Sequence, residues 1–187
     1  MPIPAFDHNL VLPPHVGDPT DMSQVSPYLS TSYELCVHFA TSPQRIAILK
    51  GFLDFRAELR KQGLTNAVQW LDGSFLENVE SRESRAPNDL DLVTVYWGYS
   101  RDFQNALVSN FPAFEDGRLS KAHFHLDHYP FDAEDHPLFT ARYSSYWIQL
   151  FSHNRQGIWK GMLEIPLDTP ASDQQALDYL HSVNLGI

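Results

Sequence analysis

A chain of 187 residues with 43% apolar and 13% aromatic side chains is long enough to bury one sizeable core. Its 13 basic against 23 acidic residues leave a formal net charge of -10, which repels polyanions and disfavours long nucleic acid as a partner. A single cysteine, Cys36, excludes an internal disulfide and a thiolate metal cluster, and fits a reducing, cytoplasmic setting.

The opening Met1-Pro2-Ile3-Pro4 has no basic segment followed by an apolar stretch, and no window approaches a membrane span, so no membrane association is expected. Residues 1–32 are rich in proline and small polar side chains, which disfavours regular helix. Phe6, Leu10, Val11 and Leu12 argue against a solvated tail. The expectation is an extended arm packed on one domain formed by residues 33–187. Leu35-Cys36-Val37 reads as a buried apolar run around an inert thiol.

Ser42-Pro43 is a helix start, and Gly63 after Arg60-Lys61 is a helix stop. Between them Ile46, Ile48, Leu49, Phe52, Leu53, Phe55 and Leu59 form a broad apolar face, while Arg56, Glu58, Arg60 and Lys61 read as the solvated one. Ala67 to Leu71 is a short strand that stops at Asp72-Gly73-Ser74, and a strand, a glycine turn and a helix start together make an anion seat. Polar residues 81–88 form a loop, followed by a strand from Leu90 to Trp97 with Asp89 and Asp91 at its entry.

Arg101 to Asn110 suits a short helix. Lys121 to Phe131 alternates so that His123, His125, Asp127 and Tyr129 share one face of an expected strand. Asp135 to Ser144 suits a further helix. Tyr146 to Ser152 and Ile158 to Ile165 read as a hairpin around a five-residue loop, and a last helix runs from Ser172 to about Ser182, ending near Asn184 and Gly186. Helices interleaved with strands predict a mixed α/β domain.

Asp89 and Asp91 leave the same face of their strand with Cα atoms roughly 7 Å apart, given a rise of about 3.3 Å per residue. Two such carboxylates can share a hard cation, and magnesium favours few carboxylates plus phosphate, so an acid pair beside a phosphate seat is a coherent half-site. Alone, the pair could equally cap a strand end. Fourteen residues lie between Ser74 and Asp89.

An apolar strand, Gly73-Ser74, a loop of this order and Asp89-Leu90-Asp91-Leu92-Val93 together resemble the signature of the polymerase-β-like nucleotidyltransferase superfamily. Asp72 stands where many members carry an apolar or aromatic residue. The chain further resembles a group of small bacterial proteins of that superfamily through Leu12-Pro13-Pro14, Trp70 to Phe75, Pro87 to Asp91 and Trp159-Lys160-Gly161. The resemblance implies a nucleotidyltransferase-like mixed sheet flanked by helices. It also implies a nucleoside triphosphate held at Gly73 and Ser74, and Mg2+ (or Mn2+) held by Asp89 and Asp91. Members commonly add a third carboxylate from an adjacent strand, and Asp127 is the candidate.

Lys160 is either a cation for the triphosphate or a solvated hairpin position, and Arg82 and Arg85 offer weaker phosphate contacts. His123 and His125 beside Asp127 also permit a zinc or transition-metal site. The expected reaction is transfer of a nucleoside monophosphate from the triphosphate to a hydroxyl of a protein, a small molecule or an RNA end. The alternative is a catalytically inactive nucleotide- or partner-binding module, such as an antitoxin or regulatory subunit.

Overall fold

The computed structural model describes residues 3–183. Five strands form one mixed sheet in the order β1-β5-β2-β3-β4: β1 (Tyr28–Leu29), β2 (Ala67–Asp72), β3 (Leu90–Tyr96), β4 (Leu126–Asp132) and β5 (Leu163–Pro166). β1 runs parallel to β5 and β4 parallel to β3, whereas β2 is antiparallel to both of its neighbours. The expected mixed α/β class is what the chain adopts.

Seven α-helices are described. α1 (Ser32–Phe39) opens on a capping box between Thr31 and Glu34, and α2 (Pro43–Lys61) opens on Ser42 with Pro43 at its first position. α3 (Val79–Glu83), α4 (Arg101–Asn110), α5 (Gly117–Phe124), α6 (Pro137–Phe151) and α7 (Pro170–Ser182) follow. Asn184 and Gly186 lie outside the described residues. No described helix is long and apolar enough to cross a membrane.

The sheet separates two cores. On one face Leu71, Leu90, Leu92 and Leu126 pack with the apolar sides of α1, α2 and α7. On the other, Val93, Val95 and Phe131 meet Trp147 and Phe151 of α6. Strand alternation requires this division, since Leu90 and Leu92 point one way while Asp91, Val93 and Val95 point the other. Asp91 therefore emerges at the end of the smaller core, beside the last turn of α6.

The arm is built into the fold. Val11 and Leu12 are fully buried, and Tyr28-Leu29 supplies a sheet strand. Gly161 donates to the Leu12 carbonyl at 2.8 Å, and the Tyr28 hydroxyl donates to the Pro13 carbonyl at 2.7 Å. A Cβ at Gly161 would lie 2.4 Å from that Pro13 oxygen, so the Pro-Pro segment and the Lys160-Gly161 segment require one another.

Several expectations are corrected. Cys36 is buried as expected, and burial pushes its thiol up to about 12, but its neighbour Val37 is 46% exposed. Arg56 is not solvated: it is fully buried, donating to both carboxylate oxygens of Asp173, to Gln69 and to the Pro166 carbonyl. Lys121 to Phe131 is not one strand, because α5 runs through Phe124, His125 closes it in the left-handed conformation (φ 57), and only then does β4 begin. Tyr146 to Ser152 is not a hairpin strand either. It belongs to α6, where Trp147 and Phe151, four apart, form the inward face. Ile158 to Met162 has no strand beyond a single bridge between Trp159 and His153, and β5 pairs with β1 and β2 instead.

Candidate active site

Register across β2, β3 and β4 fixes the site. Asp72 on β2 stands opposite Asp91 on β3, and Asp91 stands opposite Asp127 on β4. Residues paired in register project to the same sheet face, with Cβ atoms roughly 5 Å apart. A row of three aspartates thus crosses the sheet, and Asp89, two residues before Asp91, lies at its edge.

All four carboxylates line a cavity of about 660 Å³ with Gly73, Ser74, Glu77, Lys160 and the loop after α6 at His153 to Gln156. Lys121 and Asp127 also line an adjoining, more open groove of about 680 Å³ whose floor includes Val108, Pro112, Tyr129 and Pro130. Asp127 is therefore the aspartate that faces both spaces.

The glycine turn has a specific geometry. Gly73 adopts φ 81 and ψ -170, a region open in practice to glycine alone. A Cβ there would sit 1.7 Å from Asp91 Oδ2, so the missing side chain is the space that the Asp91 carboxylate fills. Ser74 begins a 3-10 turn through Leu76, and Arg45 of α2 holds that turn from below. Its guanidinium donates to the Phe75 carbonyl at 2.6 Å, to the Glu77 carbonyl at 2.7 Å and to both oxygens of Glu80.

Electrostatically the cavity is crowded with negative charge. Burial pushes Asp91 up to about 6, and the neighbouring Asp89 and Asp127 add to the rise. Burial likewise pushes Asp72 up to about 7 despite the Lys160 ammonium beside it. Lys160 is buried, 2.9 Å from Asp72 Oδ1 and 2.9 Å from Glu77 Oε1, and donates to the Gly73 carbonyl at 2.9 Å. Burial works against its charge, but Asp72 and Glu77 outweigh burial and hold the ammonium above its ordinary pKa. The expectation of a solvated hairpin lysine is thus overturned: Lys160 braces the turn from within.

Other basic groups are engaged in ion pairs. Arg82 bridges Glu77 and Glu83, and its Nη1 has no hydrogen-bond partner. Arg85 pairs with Glu83 at 2.7 Å, and Lys121 of α5 reaches Asp89 Oδ2 at 2.5 Å. The structure thus brings together Gly73, Ser74, Asp89, Asp91, Asp127 and Lys160, all expected from the sequence. It adds Asp72, Glu77 and Lys121. Glu77 follows Ser74 by three residues, a spacing that a turn brings together; Lys121 had no legible signal, because its helix reads as a strand.

The histidine alternative loses its basis. His123 lies in the last turn of α5 and His125 is the left-handed cap, so they do not share a strand face with Asp127. Among the described residues no three or more His, Cys, Asp or Glu side chains form a preassembled metal cage. Asp89 is turned to Lys121, while Asp91 is turned over Gly73.

A family model described as a family of unknown function (DUF6932) matches residues 4–166. The chain belongs to this family. The match runs from the arm to the end of β5 and so takes in every residue of the aspartate row, with Lys160 and the arm segment that packs on Gly161. No curated protein and no solved structure matches the chain.

Proposed function

We propose that this chain is a metal-dependent nucleotidyltransferase: a hydroxyl acceptor attacks the α-phosphorus of a nucleoside triphosphate, and pyrophosphate leaves. One observation carries the reading, the in-register opposition of Asp91 and Asp127 beside the Gly73-Ser74 turn. Three hard oxygen donors, Asp89, Asp91 and Asp127, line one cavity, where burial, with Asp89 and Asp127 adding to it, raises Asp91, a cost that a bound cation would relieve. The donor set therefore fits Mg2+ or Mn2+. Such a metal, when bound, neutralises phosphate charge and lowers the barrier to an in-line displacement.

The chain's own groups divide the remaining work. The Gly73-Ser74 backbone N–H groups and the Ser74 hydroxyl donate to phosphate oxygens at the start of a turn, and Arg82, which lines the cavity, offers a further donor. Lys160 acts on the triphosphate indirectly, by fixing the Gly73 carbonyl and hence the turn. Asp127, facing the adjoining groove, would orient the acceptor hydroxyl and take its proton. A cytoplasmic setting accords with the single buried thiol.

The test is a panel of α-labelled nucleoside triphosphates with Mg2+ or Mn2+ and protein, small-molecule and RNA acceptors. Label transfer or pyrophosphate release that vanishes in Asp91→Ala and Asp127→Ala supports the enzyme. One observation favours a second reading, a nucleotide- or partner-binding module without turnover: Asp72 and Asp89 are each already paired with a lysine. That reading predicts nucleotide binding with no transfer across the whole panel.

A further inference from the structure

Two lysines reach into the carboxylate cavity, and their situations differ. Lys160 is buried and held by Asp72, Glu77 and the Gly73 carbonyl at once, so it cannot leave without stranding the buried Asp72. Lys121 has one ion-pair partner, Asp89 Oδ2 at 2.5 Å, and its side chain is 55% exposed at the cavity mouth. A long, flexible stem in water can withdraw at small cost. The backbone that carries it is fixed. Ser120 Oγ donates to the Leu126 carbonyl at 2.9 Å, and a Cβ on Gly51 of α2 would lie 2.1 Å from the Phe124 carbonyl, so α5 is pressed against α2.

We propose that Lys121 is an internal counter-cation that occupies the metal's place on Asp89 and is displaced when a divalent cation enters. The inference rests on the metal reading of the site, and deepens it. With the ammonium present, Asp89 is compensated, the row is tolerable without metal, and an entering ion must compete with Lys121 for the Asp89 carboxylate. Removing the ammonium leaves Asp89 free for the ion. A surface lysine with a solely structural role would weaken the fold and leave metal affinity unchanged.

The experiment titrates metal-stripped, full-length protein with Mn2+ alone, without nucleotide, by electron paramagnetic resonance. Wild type is compared with Lys121→Met and Lys121→Arg, each checked for fold by circular dichroism. The expected result is Mn2+ binding about fivefold tighter in Lys121→Met, the scale of one partly exposed ion pair, with Lys121→Arg near wild type. Equal or weaker binding in Lys121→Met, with wild type binding Mn2+, overturns the role of Lys121 and leaves the metal site standing. If neither wild type nor Lys121→Met binds Mn2+, the metal reading itself fails and takes this inference with it.

Discussion

The Lys160 ammonium lies 2.9 Å from Asp72 Oδ1, a buried ion pair directly beneath the glycine turn. It accounts for an acid at position 72, where resemblance leads one to expect an apolar or aromatic residue: Lys160 is the one basic partner of that buried carboxylate among the described residues. Replacing Lys160 by Met should cost about 3–5 kcal/mol, the scale for a buried carboxylate left without its partner. Asp72→Asn together with Lys160→Met should recover much of that loss, since Glu77 keeps its bridge to Arg82. A double-mutant cycle by urea denaturation checks this, and additive losses would show that the two residues do not act as a pair.

Gly73→Ala should damage the site more than the fold. The backbone conformation alone costs about 1–3 kcal/mol for a residue with a side chain, and the new methyl would lie 1.7 Å from Asp91 Oδ2, forcing that carboxylate away. Nucleotide transfer should fall by at least about 100-fold, the scale expected when a reacting group is misplaced by about 1 Å. Gly63→Ala is the control. Gly63 is also left-handed at φ 89, but its added methyl meets only Phe103, at 3.4 Å, so stability should fall while transfer persists.

Where the sequence is legible, local chemistry and tertiary demand coincide. α2 begins at Ser42-Pro43 and its end is marked by Gly63, so both boundaries carry ordinary signals. Leu90 to Tyr96 is β-branched or aromatic at most positions, and Asp91 could be placed on a face because alternation leaves no choice. The rest fails for identifiable reasons. α5 ends on His125, a left-handed residue that is not glycine, so its stop signal is missing and its histidines mimic a strand. The first half of α6 reads as helix, but its second half, Tyr146 to Phe151, is dense in Tyr, Trp, Ile and Phe, residues that favour strands, and only the spacing of Trp147 and Phe151 betrays the helix there. The aspartate row was partly legible: spacing marked Asp91 with its neighbour Asp89, and the resemblance pointed to Asp127, but opposition in register is a tertiary fact. The Lys121 contact depends on a helix that reads as a strand.

The buried Arg56 to Asp173 pair ties α2 to α7, remote from the cavity. Arg56 also donates to Gln69 Oε1 at 2.7 Å, Gln69 donates to Thr94 Oγ1 at 3.2 Å, and His128 Nε2 lies 2.8 Å from the same oxygen. Burial pushes His128 down to about 3, so it stays neutral and serves as a hydrogen-bonding member of this polar line across the sheet. Asp173→Ala should lower stability by about 3–5 kcal/mol by leaving Arg56 charged and buried. In folded protein at low temperature, Mn2+ affinity should be unchanged. A change in Mn2+ affinity would mean that the polar line reaches the site.

Asp91→Asn should stabilise the metal-free protein while abolishing transfer. The folded chain holds the Asp91 proton up to about pH 6, whereas the unfolded chain releases it near 3.8. Between those values the folded state binds the extra proton, so the contribution of Asp91 to stability is fully present at low pH and is lost as pH rises through about 6. Above that window the wild type carries a buried carboxylate facing Asp89 and Asp127 without metal, and the amide removes that repulsion. The gain should reach about 1–3 kcal/mol at neutral pH and shrink to nothing near pH 3.8. Thermal melts of both proteins across the range measure it. Added Mg2+ should raise the wild-type melting temperature and leave Asp91→Asn unmoved, since the ion gains its binding free energy only from a site that can hold it. A variant less stable than wild type at neutral pH, in the absence of metal, would show that Asp91 serves the fold and not a cation.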